Sequence, residues 1–309
     1  MTAGGCVACG GGSRRIGPNP DYAGSDVVRC RKCGLVWTRP LPSATDRSDD
    51  YDGRYALHHA TDLPPHYLPH KDARAAAQHR FVLDHTGIGA SASVSVLDIG
   101  CGVGSLLRAF AADANVTDLV GIEPSSVMRA RAARRLPERA VLLGGLFTPE
   151  AVAGRRFTLA VGSHVLEHVP DPVSFLVDLR SCVEPGGVAF FEVPHESAAT
   201  IGDVVRARWA GLMHVIFFTA PTLADVFRRA GWEPLRVAAV GPPLPTFSVV
   251  PEANRHWRQR WRERLGSGAT RAARGGAAAM GTVEAFDLGE DPDGAWLRIV
   301  ARNPGPGGP

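Results

Sequence analysis

The sequence predicts an α/β fold: a doubly wound, mostly parallel sheet with helices on both faces, preceded by a small metal-stapled module. Three observations predict it. Short apolar runs alternate with helical-period segments from residue 94 to about 240. Glycines at 100, 102 and 104 follow the first of those runs. Two Cys-x-x-Cys pairs, Cys6/Cys9 and Cys30/Cys33, stand near the N-terminus with twenty residues between them.

Composition bounds the possibilities. The chain has 309 residues, a net charge of +3, 45% hydrophobic residues and six cysteines. That hydrophobic share excludes wholesale disorder, and the length suits roughly two domains. A charge of +3 on this size sets up no global field for nucleic acid or membrane. No apolar run approaches the ~18 residues that span a bilayer. The opening MTAGGCVACGGG lacks the basic and apolar regions of a secretory signal, so a cytoplasmic location is expected. A reducing compartment turns the cysteines away from disulfides.

Residues 1–40 form the predicted module. Two C-x2-C pairs with this gap have the spacing of a four-thiolate zinc site, with Cys6, Cys9, Cys30 and Cys33 as ligands. Gly10 and Gly34 follow the second cysteine of each pair, where a tight turn needs a positive φ. Four thiolates leave no coordination position for water, so the zinc is expected to be structural. Cys101 and Cys182 lie in apolar contexts and are expected to be buried thiols.

Residues 41–90 read as a proline-rich connector and substrate-facing loop that carries Tyr51, Tyr55 and several histidines, ending in a helix over 72–85. The core, residues 91–240, begins with the strand Val94–Ile99, the glycine loop and a helix from Ser105 to Ala112. A strand over 118–122 and an arginine-rich helix over 125–135 follow, then strands over 141–143, 157–161 and 187–193. A helix over 172–182 separates the last two. Strands over 232–240 and 295–301 are expected to pair, which makes 241–294 an insertion. The segment 295–309 supplies that last strand and a Pro/Gly tail expected to be disordered from Asn303 onward.

The glycines leave no Cβ between backbone and ligand at the strand's carboxyl end, and Glu123 ends the next strand, where an acid accepts both hydroxyls of a ribose. The spacing departs from a dinucleotide fingerprint, because Ser105 stands one residue beyond the third glycine. Asp98 would repel a pyrophosphate but suits a ligand that carries an ammonium group.

The segments LDIGCGVGSLL, VGIEPS, HVLEHVPDP and VEPGGVAFFEVP, in this order, resemble a class I S-adenosylmethionine-dependent methyltransferase over residues 94–240, with its Rossmann-like sheet. The cysteine pairs, VVRCRKCGLVWTRPLPS and Tyr51-Asp-Gly-Arg-Tyr55 are similar to the zinc-containing deoxysugar C-methyltransferases and their small-molecule relatives, which implies a zinc-ribbon module. The resemblance implies S-adenosylmethionine as cofactor, held by Asp98, Gly100, Cys101, Gly102 and Gly104 around its methionine portion. It also implies Glu123 and Pro124 at the ribose and Leu146 against the adenine. The aspartate that the family often has near Leu146 is absent from GGLFTPE.

A base, where one is needed, is expected at the carboxyl ends of the later core strands. His164, His168 and His214 are the candidates, and Tyr51 and Tyr55 are expected substrate contacts. In the sugar enzymes a Glu-His pair stands where this chain has Met213-His214, so the carboxylate half is missing in sequence. Glu167, beside His168, is expected to point away from it on a helix.

Residues 252–274 carry seven arginines against two glutamates, and Trp257, Trp261 and Leu265 form an apolar stripe on a basic helix. Docking on the core, or a homodimer through residues 252–265, is preferred to an RNA-binding face. The leading expectation is therefore methylation of a small molecule, a sugar or natural-product intermediate and possibly a nucleotide-linked sugar. The acceptor atom, carbon, nitrogen or oxygen, stays open. An RNA methyltransferase and a non-catalytic binding protein are the alternatives.

Overall fold

The computed structural model describes residues 5–42, 63, 65, 67–196, 213–243, 290–292 and 294–305. Tyr51, Tyr55, residues 252–265, where a helix is expected, and most of the insertion lie outside them.

Three antiparallel strands open the chain: β1 (Ser13–Pro18), β2 (Asp26–Cys30) and β3 (Val36–Arg39). Helix α1 (Tyr67–His85) follows and starts five residues earlier than the sequence suggests. The core then runs β4 (Val94–Ile99), α2 (Ser105–Ala111), β5 (Val116–Ile122), α3 (Ser126–Ala133) and β6 (Val141–Leu143). After it come β7 (Phe157–Ser163), α4 (Pro172–Cys182) and β8 (Val183–Pro194). A two-residue strand β9 (Ile216–Phe217), helix α5 (Ala220–Arg229), β10 (Glu233–Pro243) and β11 (Gly294–Arg302) complete it.

The larger sheet has the order β10-β11-β8-β7-β4-β5-β6. Strands β4 to β8 pair in parallel, and β11 runs antiparallel to both of its neighbours. Strand β4 lies between β5 and β7, so the chain winds to one side from β4 and later to the other. That reversal opens a crevice at the carboxyl ends of the strands. Continuous apolar runs make the central strands, because both faces are covered: Leu97, Leu159, Ala160, Phe190 and Phe191 are all inaccessible to solvent.

Helix starts follow local chemistry. Ser125 accepts from Met128 N at the start of α3, Asp171 accepts from Ser174 N ahead of Pro172 in α4, and Thr219 and Thr222 form a reciprocal capping box in α5.

Two expectations need correction. The N-terminal module is not a separate body. Its strands continue through β9 into a four-stranded sheet, β1-β2-β3-β9, and Tyr22, Leu35 and Trp37 share one apolar cluster with Leu97, Phe191 and Phe227. Residues 303–305 of the expected tail are held in place. Asn303 is buried and donates to the Arg180 and Val183 carbonyls, while its own carbonyl accepts from Gly186 N, so the chain end seals the start of β8. Composition missed this because one well-placed side-chain amide outweighs a Pro/Gly background.

Candidate active site

At the crevice, Gly100, Gly102 and Gly104 have φ of 69°, 55° and 76°, a left-handed run that side chains disfavour. A Cβ on Gly100 would come within 2.7 Å of Val165 Cγ2, so this glycine lets the 164–168 segment lie directly against the loop. A Cβ on Gly102 would meet nothing within 4 Å, and its backbone therefore faces open space. Cys101 is buried beneath the loop.

Glu123 follows β5, and its carboxylate accepts from Gly102 N at 2.9 Å and Ser125 N at 2.8 Å. Pro124, between Glu123 and Ser125, turns the chain into α3. A carboxylate has about four acceptor positions, so Glu123 keeps capacity for hydroxyl donors. Asp98 is 2% exposed, and its Oδ2 has no hydrogen-bond partner. Burial, with the Glu123 charge adding, pushes the Asp98 carboxyl up to about 8. An orphaned acidic oxygen beside open backbone fits a ligand with a cationic end and a ribose, as S-adenosylmethionine has. Leu146 is 68% exposed on the loop after β6, an open apolar surface on this side.

The other half of the site lies after β7 and β8. Residues 166–168 form one 3-10 turn, and His164 ahead of it has φ of 57°. This geometry overturns the expectation that Glu167 points away from the histidines. One ligand atom from each of Glu167, His168 and His214 lies within 4.8 Å of the others. His164 Nδ1 stands 2.9 Å from Glu167 Oε1, His214 Nε2 stands 3.9 Å from it, and the His168 and His214 rings meet edge-on at 5.0 Å. Met213 precedes His214 in sequence, and the carboxylate that comes nearest to its ring in space is that of Glu167. Two imidazoles and a carboxylate are also donors of the kind that divalent transition metals take.

Burial sets the protonation of this cluster. It pushes Glu167 up to about 8, lowers His168 to about 4, and lowers His164 and His214 well below the usual histidine range. All three imidazoles are neutral at pH 7. His168 Nδ1 lies 3.2 Å from the Met213 carbonyl, which can only accept, so the proton sits on Nδ1 and the lone pair on Nε2.

Sequence reasoning missed three buried partners. Glu192, near the end of β8, receives Arg74 Nε from α1 and Arg298 Nε from β11, each at 2.6 Å. The Arg74 guanidinium also contacts His164 Nε2. Nothing in the alanine-rich stretch around Arg74 signals a buried ion network. A depression of about 440 Å³ lined by Leu83, Asp113 and Asn115 lies at the opposite, amino end of the sheet.

Near the N-terminus the four expected sulfurs converge. Cys6 Sγ and Cys33 Sγ are 3.6 Å apart, Cys9 Sγ and Cys30 Sγ are 3.5 Å apart, and all four lie within 4.8 Å of one another. A tetrahedral Zn–S bond of 2.3 Å implies sulfur spacings of about 3.8 Å, so the set fits one zinc. Lys32 N and Cys33 N both donate to Cys30 Sγ, which supports a thiolate there.

A doubly wound sheet whose glycine loop faces an acidic strand end across the switch point defines a nucleoside-cofactor enzyme of the Rossmann-like type. A family model described as "Methyltransferase domain" matches residues 55–237, and the chain belongs to that methyltransferase-domain family. It is 33% identical over 160 residues to the ubiquinone biosynthesis O-methyltransferase of Ralstonia nicotianae, covering 46% of this chain and 64% of that protein. It is 32% identical over 158 residues to the tRNA U34 carboxymethyltransferase of Methylococcus capsulatus, covering 48% of this chain and 47% of that protein. The chain thus spans less than two thirds of the length of either relative. The 1,6-didemethyltoxoflavin-N1-methyltransferase of Burkholderia thailandensis, solved with 1,6-didemethyltoxoflavin and S-adenosylhomocysteine, shares the fold at a TM-score of 0.53. Identity there is 15%, over 94% of this chain and 98% of that one. No described helix is long and apolar enough to cross a membrane.

Proposed function

We propose that this methyltransferase acts on a small molecule at an atom that must lose a proton. The observation that carries the proposal is the buried cluster of His168, His214 and Glu167 against the glycine loop. Bound S-adenosylmethionine supplies an electrophilic methyl group and leaves as a neutral thioether. Asp98 holds the ammonium, Glu123 the ribose, and the open backbone at Gly102 lets the cofactor approach. Cys101 and Gly104 support the loop from beneath, Pro124 fixes the turn after Glu123, and Leu146 covers the adenine.

On the acceptor side, His168 Nε2 or His214 takes the acceptor's proton as the new bond to the methyl forms. Glu167, in the fraction of molecules where it has already lost its proton to solvent, balances the imidazolium. His164 orients Glu167. Its Nε2 is engaged by Arg74, which removes it from the list of bases. Tyr51 and Tyr55, outside the described residues, remain proposed substrate contacts. The four cysteines hold one structural zinc that fixes the N-terminal sheet. The cytoplasmic location and a dimer through 252–265 stay part of this proposal.

The relative that modifies tRNA favours a second reading, with RNA as acceptor. One experiment separates the two: labelled methyl transfer into a small-molecule extract and, in parallel, into total tRNA. Transfer to the extract alone supports the proposal. Transfer to tRNA alone, steeply lost with salt, overturns it.

A further inference from the structure

Glu167, His168 and His214 present three donor atoms to one point, each within 4.8 Å of the other two. The carboxylate among them lacks an ordinary partner. Glu167 is 1% exposed, yet neither of its oxygens has a hydrogen-bond partner. His164 Nδ1 approaches Oε1 to 2.9 Å, at an angle too bent for a hydrogen bond. Arg74 and Arg298 both donate to Glu192 and not to Glu167. A buried carboxylate without a donor costs free energy, which a cation recovers. What faces this one is imidazole: His214 Nε2 at 3.9 Å, with the His168 ring edge-on to that of His214.

The surroundings hold these donors as metal ligands are held. His168 Nδ1 sits 3.2 Å from the Met213 carbonyl, which leaves Nε2 with the lone pair. Fixing the far nitrogen of an imidazole on a backbone carbonyl is how proteins orient metal-binding histidines. Met213 is itself pinned by Asp21 and Tyr22, from the connection between β1 and β2. His164 is not part of the donor set, because the Arg74 guanidinium takes its Nε2. Two imidazoles and a carboxylate, with no thiolate, suit a first-row transition ion; magnesium and calcium take oxygen donors. Bonds of about 2.1 Å put tetrahedral donors roughly 3.4 Å apart, so the pair at 3.9 Å closes by about 0.5 Å on the ion. Three protein donors leave at least one coordination position open.

We propose that Glu167, His168 and His214 bind one divalent first-row transition-metal ion, at a site separate from the four cysteines, and that its occupancy excludes proton removal by the same imidazoles. The second half rests on the reading of these histidines as bases. A metal ion takes the nitrogen lone pair that would accept the proton, so the loaded protein transfers methyl slowly and the unloaded one quickly. Four thiolates in a closed shell hold zinc more tightly than three harder donors in an open one. Dialysed protein therefore keeps the cysteine-bound ion alone.

The test uses the whole chain, dialysed against a weak chelator until one zinc per chain remains and then titrated with Co2+. The wild type is expected to take up one Co2+, with d–d absorption and no thiolate-to-cobalt charge-transfer band. Glu167→Gln and His214→Ala are each expected to bind it at least about tenfold more weakly. Their S-adenosylhomocysteine affinity, within threefold of the wild type, shows that they are folded. No uptake by the wild type, a thiolate band, or equal uptake by both variants overturns the site. Labelled methyl transfer into the small-molecule extract should fall at least tenfold when Zn2+ is loaded and return on chelation. Transfer unchanged or faster with the ion bound overturns the exclusion. A dialysed wild type that binds S-adenosylhomocysteine but transfers nothing contradicts proton removal by the histidines instead, and the cobalt titration reads the metal site independently of it.

Discussion

Arg74 decides what His164 can do. A guanidinium only donates, so the contact to His164 Nε2 fixes the tautomer with its proton on Nδ1, facing Glu167. Glu167 is therefore the residue whose loss should tell most. Glu167→Gln keeps shape and removes the compensating charge, and the expected result is a fall in turnover of about 100-fold or more. Its carboxyl, raised by burial to about 8, ionises as the pH rises, so turnover should climb through pH 8 in the wild type and not in Glu167→Gln. Asp98 gives a second pH test at the cofactor. Its carboxyl stays protonated up to about 8, while only the carboxylate pairs with an ammonium, so cofactor affinity should increase with pH up to that point. Calorimetric titrations between pH 6 and 9 check this. A slope that survives in Asp98→Asn would assign the effect elsewhere.

At the scale of elements, β9 and the residues just ahead of it join the N-terminal sheet to the cluster of Glu167, His168 and His214. Met213, with φ of 56°, is held by Asp21 Oδ2 on its N–H at 2.8 Å and by the Tyr22 hydroxyl on its carbonyl at 3.1 Å. The same carbonyl receives His168 Nδ1, and Val215 N donates to the Glu167 carbonyl. A left-handed non-glycine residue costs about 1–2 kcal/mol, which these contacts offset. Tyr22→Phe removes one of them. Turnover should fall about tenfold, stability by about 1 kcal/mol, and S-adenosylhomocysteine affinity should stay within threefold. An equal loss of cofactor affinity would mean that the contact only stabilises the fold.

The glycine loop and the core strands were legible in the sequence, because period and glycine placement are local signals. The link from Tyr22 to Met213 was not, since it joins positions 191 residues apart. Glu167 was misread for a related reason: its direction follows from a 3-10 turn and a left-handed His164, not from helical spacing.

For the molecule as a whole, the cysteine spacing announced the sulfur cluster, and the structure adds that its sheet holds Met213 beside His168. The N-terminal sheet, sharing the apolar cluster of the large sheet, should not unfold alone. Purified protein is expected to carry one zinc per chain by elemental analysis, and Cys30→Ser with Cys33→Ser to lose it. That variant should melt at lower temperature and lose turnover far more than cofactor affinity. Metal-free wild type with normal melting would refute the zinc assignment. Composition alone hid the ion network of Arg74, Glu192 and Arg298, because three distant segments build it.

The most direct test of the central claim is single-turnover methyl transfer from labelled S-adenosylmethionine by His214→Ala and Glu167→Gln, each beside its own S-adenosylhomocysteine dissociation constant. Proton removal by this cluster predicts transfer at least 100-fold slower in both variants, with dissociation constants within threefold of the wild type. Wild-type transfer rates in both would contradict it.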